Sequence, residues 1–164
     1  MTMIQLPETT SHLRRLKSGL IVPATSGKRT FVTERAMFPG FFDSDFRNYG
    51  TDVTSDPLPE TPSDLYEMTA DGDFKTLLGS FGPDPEPLFW RSQDQILSWI
   101  EKHPDDLHPQ GWATFFPFVV GKKRFVADVD RDSRSLEAYI RRFGIVHVWS
   151  AEFRSRLLLT QLVT

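Results

Sequence analysis

The residues best suited to chemistry lie in one stretch, KKRFVADVDRDSRSLEAYIRRFG, which runs from Lys122 to Gly144. An apolar run leads into Asp128, Asp130 and Asp132, spaced two apart. Residues two apart share one face of a strand. Arg124, Val126, Asp128 and Asp130 therefore point one way, and Phe125, Ala127 and Val129 point the other, toward a core. Two adjacent carboxylates on an open face can hold a divalent cation, which activates water or positions phosphates. An enzyme reading takes Asp128 and Asp130 as catalytic, with His147 beside them. The plainer reading makes the trio structural. Asp130 and Asp132 then complement the start of a helix over 133–143, by capping and by its dipole, while Asp128 pairs with a nearby Arg or Lys. We adopt the plainer reading, which assigns no catalytic residue, no metal and no cofactor.

The strand followed by Asp-Val-Asp resembles the first metal motif of archaeo-eukaryotic primases and of some nucleotidyltransferases, over Phe125 to Asp130. The resemblance implies a divalent-metal enzyme acting on nucleotides or phosphodiesters. The later parts of that pattern are missing: no Ser-x-His follows the next apolar run, and no third acidic strand comes after it. An EF-hand loop needs Gly and Glu where Ser133 and Tyr139 stand. A phosphate loop around Gly27-Lys28 needs Gly and Ser or Thr where Val22 and Arg29 stand. His103 and His108 flank Asp105 and Asp106 at a spacing that matches no zinc pattern, so a polar loop accounts for them. The chain has no cysteine, which removes thiolates and disulfides and fits a reducing cytoplasm.

Charge is segregated along the chain. Between 43 and 73 there are nine acidic residues and one basic residue, Arg47. Aromatic residues beside this zone are candidate anchors for a contact with another macromolecule. The predicted partner-binding set is Phe41, Phe42, Asp43, Asp45, Phe46, Tyr49, Asp52, Asp56, Glu60 and Asp64. A second cluster, Lys122, Lys123, Arg124, Arg134, Arg141 and Arg142, is a candidate basic patch. It suits nucleic acid, the acidic zone of the same chain, or a second copy in a homo-oligomer. Some of these basic residues share a surface with Tyr139 or Trp149. The overall net charge of −3 argues against a general nucleic-acid coat and against tight binding to anionic membranes. No run approaches the roughly 18 apolar residues of a membrane span, and the N-terminus lacks the pattern of a secretory signal. The reading with most support is a cytoplasmic, non-enzymatic interaction protein: an adaptor, inhibitor or accessory factor that binds another protein. The metal-dependent enzyme and an assembly subunit of a larger particle are the alternatives.

The elements that must position these residues follow from local signals. Residues 1–50 are expected to hold a short helix over 10–19, capped by Thr10 or Ser11, then strands over 19–24 and 29–38 and an aromatic-rich irregular stretch. Residues 51–88 read as an acidic, Pro-rich connecting segment with helical pieces over 63–82. Residues 89–164 carry the clearest signals. A helix opens at Ser92, with Gln95 completing a capping-box pattern, and buries Ile96, Leu97, Trp99 and Ile100. Two strands over 112–120 and 124–129 form a hairpin, and Pro117 marks an edge or a bulge. A helix over 133–143, a strand over 145–149 and a last helix over 151–163 follow. The predicted fold is α+β, a small and mostly antiparallel sheet with helices packed on one face.

Overall fold

Two runs in the last third of the chain are apolar at every position, Phe115–Phe118 and Leu157–Leu159. Such a strand must be covered on both faces. That requirement sets the architecture of the computed structural model, which describes residues 3–133 and 135–163. One mixed sheet contains β2 (Leu13–Val22), β3 (Phe41–Phe42), β4 (Thr61–Met68), β5 (Thr114–Val120), β6 (Lys123–Asp132), β7 (Ser135–Arg142) and β8 (Arg156–Thr160). Their spatial order is β2-β4-β8-β5-β6-β7-β3. The β5–β8 and β3–β7 pairs are parallel, and the other neighbours are antiparallel. A short pair, β1 (Met3–Ile4) and β9 (Leu162–Val163), lies outside it. Among the described residues three α-helices complete the fold: α1 (Asp45–Asn48), α2 (Phe74–Gly79) and α3 (Gln93–Lys102).

The sheet is larger than the small sheet predicted, and helices cover both faces. On one face Ile96, Leu97, Trp99 and Ile100 of α3 and Phe46 of α1 pack with Leu65, Phe116, Phe118, Phe125, Ala127 and Leu158. On the other, Phe74, Leu77 and Leu78 of α2 pack with Tyr66, Phe115, Val126, Leu157 and Leu159. Each fully buried Phe or Leu contributes roughly 2 kcal/mol or more. The alternation of Tyr66 against Leu65, and of Phe115 against Phe116, therefore fixes the register. Among the described residues no helix is long and apolar enough to cross a membrane.

Several predicted elements hold. Ser92 caps α3 by accepting from Asp94 N at 3.1 Å, and Gln95 Oε1 accepts from Arg91 N at 3.3 Å. The β5–β6 hairpin turns at Gly121, whose φ of 60° suits a residue without a Cβ. Phe125, Ala127 and Val129 face the core as expected.

Four predicted helical stretches are strands instead. Residues 13–22 form edge strand β2; Thr10 Oγ1 accepts from His12 N and Leu13 N, so the expected cap opens a turn into a strand. Residues 61–68 form β4, between β2 and β8. Residues 135–142 form β7, a hairpin partner of β6, after a turn in which Ser133 takes a φ of 49°. Residues 156–160 form β8, and only Ala151–Phe153, capped by Ser150, is a helical turn. In each case pairing with a neighbouring strand satisfies a row of main-chain groups and buries alternate side chains, which outweighs a helix propensity worth only tenths of a kcal/mol per residue. Conversely, 29–38 forms no strand and contains the 3-10 turn Arg35–Met37. Residues 145–149 form no ladder; their strand-type pairing among the described residues is one bridge from Trp149 to Gly72. Pro117 lies in an interior strand. Its carbonyl accepts from Trp90 N at 2.8 Å, so its missing N–H falls on that same side, beyond the two-residue β5–β8 ladder.

Gly27 holds the first loop against the Pro-rich segment. Its φ is 78°, and a Cβ there would stand 2.2 Å from Ser55 O and 2.6 Å from Asp56 O. Its N–H donates to buried Asp94 Oδ2 at 2.9 Å. Gly27→Ala is therefore expected to cost about 3 kcal/mol, since strain at a positive φ and backbone displacement act together. A urea midpoint unchanged from wild type would refute this.

Candidate functional site

Strand β6 presents Asp128 and Asp130 on one face, and antiparallel pairing brings β7 alongside in fixed register. Tyr139 lies opposite Asp128, and Glu137 opposite Asp130. Arg141 follows on the same face of β7, its Nη2 3.9 Å from Asp128 Oδ2. The extended segment 144–150 then crosses over this face. Trp149 pins it: its N–H donates to Gly72 O at 3.0 Å, and its ring stands 4.9 Å from Phe115 and 5.7 Å from Phe74. His147 lies edge-on to Trp149 at 4.4 Å, and Arg141 sits over the same indole at 5.0 Å.

The result is a cleft of about 560 Å³. Asp128, Asp130, Tyr139 and Arg141 of the sheet face form its floor, and His147, Trp149, Trp112 and Phe153 line it above them. Trp112 and Phe153 are tilted together with ring centres 4.3 Å apart. Gly111, at a φ of 79°, lets the loop carrying Trp112 lie against Arg131, whose carbonyl would be 2.8 Å from a Cβ at this position.

The electrostatics of the floor are unusual. Asp128 is 3% exposed. Burial first, and then the Asp130 carboxyl beside it, push the Asp128 carboxyl well above the usual carboxylate range. Burial raises Asp130 too, while Asp128 and Arg141 pull it back down. The two carboxyls titrate together, and both keep a proton to higher pH than an isolated aspartate does. Burial, and after it Glu137, push the Tyr139 hydroxyl up to about 12, so it stays protonated near neutral pH. Asp128 Oδ1, Asp130 Oδ1, Arg141 Nε and Trp149 Nε1 are buried with no hydrogen-bond partner; they are four of the seven such side-chain atoms among the described residues. Buried polar atoms are ordinarily paired, so these four, on residues that line one cleft, set it apart from the rest of the molecule.

No protein-family model, no curated protein and no solved structure matches this chain. The geometry alone carries the functional argument.

Three residues of the enzyme reading, Asp128, Asp130 and His147, line the one cleft. The helix that was to explain the aspartates by capping does not exist, because 135–142 is β7. Among the described residues no three His, Asp or Glu side chains are grouped to hold a metal ion. His108, buried beneath the neighbouring loop, has its imidazole pKa lowered by burial and then by Arg156.

The predicted partner-binding set is dispersed. Phe46 and Asp64 are fully buried and present no surface to a partner. Asp64 accepts from Gly19 N and Gln161 Nε2. Phe42 stacks on Phe46 at 5.1 Å and leans into the core. Asp43 accepts from Asp45 N and Ile140 N, Asp45 from Asn48, and Asp52 from Thr30, all local roles. Phe41 is exposed and stacks on Tyr139 at 4.9 Å, while Asp56 and Glu60 are exposed. Tyr49 lies under Arg142 at 4.5 Å. Of the basic cluster, Lys122, Lys123, Arg124 and Arg142 gather at the open end of the β5–β6–β7 meander. Arg141 is turned to the opposite face, into the cleft, and Arg134 lies outside the described residues.

Sequence reasoning placed some of the basic cluster, to which Arg141 belongs, on a surface with Tyr139 or Trp149 but missed Trp112 and Phe153. The period-two alternation Glu137, Tyr139, Arg141 was the available signal for the β7 contribution.

Proposed function

We propose that this protein binds a macromolecular partner and that the contact is centred on the Asp128–Trp149 cleft rather than on the acidic segment. One observation carries the reading: unpartnered polar atoms at the floor coincide with exposed large apolar side chains at the mouth. Trp112, Val148 and Phe153 are 44%, 63% and 39% exposed, and Val146 beside them is 90% exposed. Contiguous exposed apolar surface around a polar pocket is the signature of a contact site. The expected result is that Val148→Asp combined with Trp112→Ala abolishes retention of the partner from a lysate of the source cells, while Asp56→Lys with Glu60→Lys leaves it intact. The reverse pattern would return the contact to the acidic segment.

A second reading, acid–base catalysis by Asp128 and Asp130 with His147, is favoured by the raised hold of the two neighbouring carboxyls on a proton. A carboxylic acid beside a carboxylate supplies a proton donor and acceptor at one point. Its expected signature is a bell-shaped rate profile that Asp130→Asn removes. The nucleotide version with a divalent ion needs both carboxyls ionised, and is tested by whether Mg²⁺ or Mn²⁺ raises the melting temperature of wild type but not of Asp128→Ala.

A further inference from the structure

We propose that the open end of the β5–β6–β7 meander binds a single strand of nucleic acid, on a basic track that lies away from the cleft and does not depend on the contact reading above. Separate elements assemble the track. Lys122 and Lys123 come from the β5–β6 turn, Arg124 from β6, Arg142 from the end of β7 and Lys75 from α2, and all five are exposed. Two hollows that share Arg124 place them together. One, of about 390 Å³, is bounded by Tyr49, Lys123, Arg124, Phe125 and Arg142. The other, of about 560 Å³, is bounded by Lys75, Arg124, Phe143 and Gly144 and by the loop after α2. Phe125 belongs to the core under α1 and α3, and Phe143 to the core under α2, so the track passes round the end of the sheet. Asp43 and Asp45 border the hollow beyond Arg142 and end the track on that side.

Like charges grouped in this way repel, and the molecule does little to offset it. Among the described residues these five side chains make one ion pair, Arg124 with Glu86, at 4.0 Å. Arg14, Lys17, Arg29, Arg131 and Arg141 each have a carboxylate partner instead. An anion from outside therefore gains along the whole track. The chain as a whole carries a net charge of −3, so the attraction is local to this end. The way the arginines are held narrows the kind of anion. The Arg142 guanidinium lies over the Tyr49 ring at 4.5 Å, and Tyr49 in turn stacks on Phe125 at 6.1 Å. Arg124 lies over the Phe143 ring at 5.3 Å. Each exposed guanidinium is backed by a ring on one side and keeps its N–H groups at the rim. That gives a plane for a base and a fork for a phosphate. An acidic peptide uses the charge but has no flat group to lay on the plane. A duplex hides its base faces within its own stack. A single strand uses both features.

Fluorescence anisotropy of the whole chain with fluorescein-labelled oligothymidylate, about 15 nucleotides long, tests this at pH 7 and low salt. The expected result is an affinity whose logarithm falls with the logarithm of salt at a slope of about −2 to −3, the counterion release of three or four phosphate contacts at roughly 0.7 each. Lys122→Gln with Lys123→Gln should weaken binding at least ten-fold. Lys28→Gln with Lys102→Gln makes the same change of net charge at exposed lysines off the track, and should alter it less than two-fold. Arg142→Lys keeps the charge and loses the plane. It should weaken oligothymidylate about five-fold and leave binding of a labelled oligoglutamate of equal length unchanged. All the substituted side chains are exposed, so each variant should fold, as circular dichroism checks. A dissociation constant weaker than about 100 μM, or equal losses from the two lysine pairs, overturns the assignment. So does oligoglutamate or a duplex that binds as tightly as the single strand. Light scattering that shows a dimer broken by Lys122→Gln with Lys123→Gln would give this surface to a second copy and overturns it too.

Discussion

Trp90→Ala is expected to leave no cooperatively folded protein at 37 °C. Trp90 is fully buried and does the work of a missing strand segment. The β5–β8 ladder stops after Phe115, and Trp90 takes over beside β5: its N–H donates to Pro117 O at 2.8 Å and its carbonyl accepts from Val119 N at 3.2 Å. Its indole N–H donates to Leu158 O at 2.9 Å, tying β8 to the same point, and its ring meets Phe116 at 6.1 Å. Removing a buried Trp side chain costs about 3–5 kcal/mol. Orphaning the Leu158 carbonyl adds about 1–3 kcal/mol. Domains are stable by only about 5–15 kcal/mol in total. Loss of the near-ultraviolet dichroism and of the thermal transition is the expected observation. Trp90→Phe keeps most of the ring and should cost about half as much. An alanine variant that melts within a few degrees of wild type would show that this junction is dispensable.

The second large effect is a dependence of stability on pH that Asp128→Asn removes. In the unfolded chain both carboxyls titrate near their ordinary values, whereas in the fold Asp128 holds its proton to much higher pH. The native state therefore binds more protons above the unfolded value, and stability falls as pH rises through that window, by about 1.4 kcal/mol per pH unit for a full proton. It levels off once the native pair has lost the proton. The groups facing Asp128 are Asp130 on its own strand, Glu137, Tyr139 and Arg141 on β7, and His147 on the crossing segment. His108 also acts on the pair, through Asp130. Buried as a neutral ring, His108 works in the opposite direction, destabilising the fold as pH falls below the ordinary imidazole range. The useful quantity is therefore the difference between wild type and Asp128→Asn, in which most of the His108 contribution cancels. That difference should fall steadily in favour of the asparagine variant from pH 5 upward, measured by urea unfolding. A flat difference between pH 4.5 and 9 would mean that burial does not raise the Asp128 carboxyl.

Local chemistry alone determined part of this protein. A serine before an amphipathic run made α3, and a glycine between two β-rich runs made the β5–β6 hairpin, because each signal acts over a few residues and needs no distant partner. Alternation on β6 likewise determined that Asp128 and Asp130 share a face. The rest waited for the tertiary structure. Leu136, Ile140 and Phe143 satisfy a helical period while Leu136, Ala138 and Ile140 satisfy a strand period, and only the edge of β6 chose between them. The same holds for β4 and β8, whose short apolar runs fit either period until flanking strands offered hydrogen bonds. Choosing a strand for 135–142 moved the aspartates from a helix cap to the middle of a sheet face. Crossing of that face by Trp149, with Trp112 and Phe153 opposite, then buried one of them. Burial is a property of what packs above a residue, and the packing partners here come from 20 or so residues away on either side. Spacing placed the carboxyls side by side; only the assembled fold took them out of water and strengthened their hold on a proton.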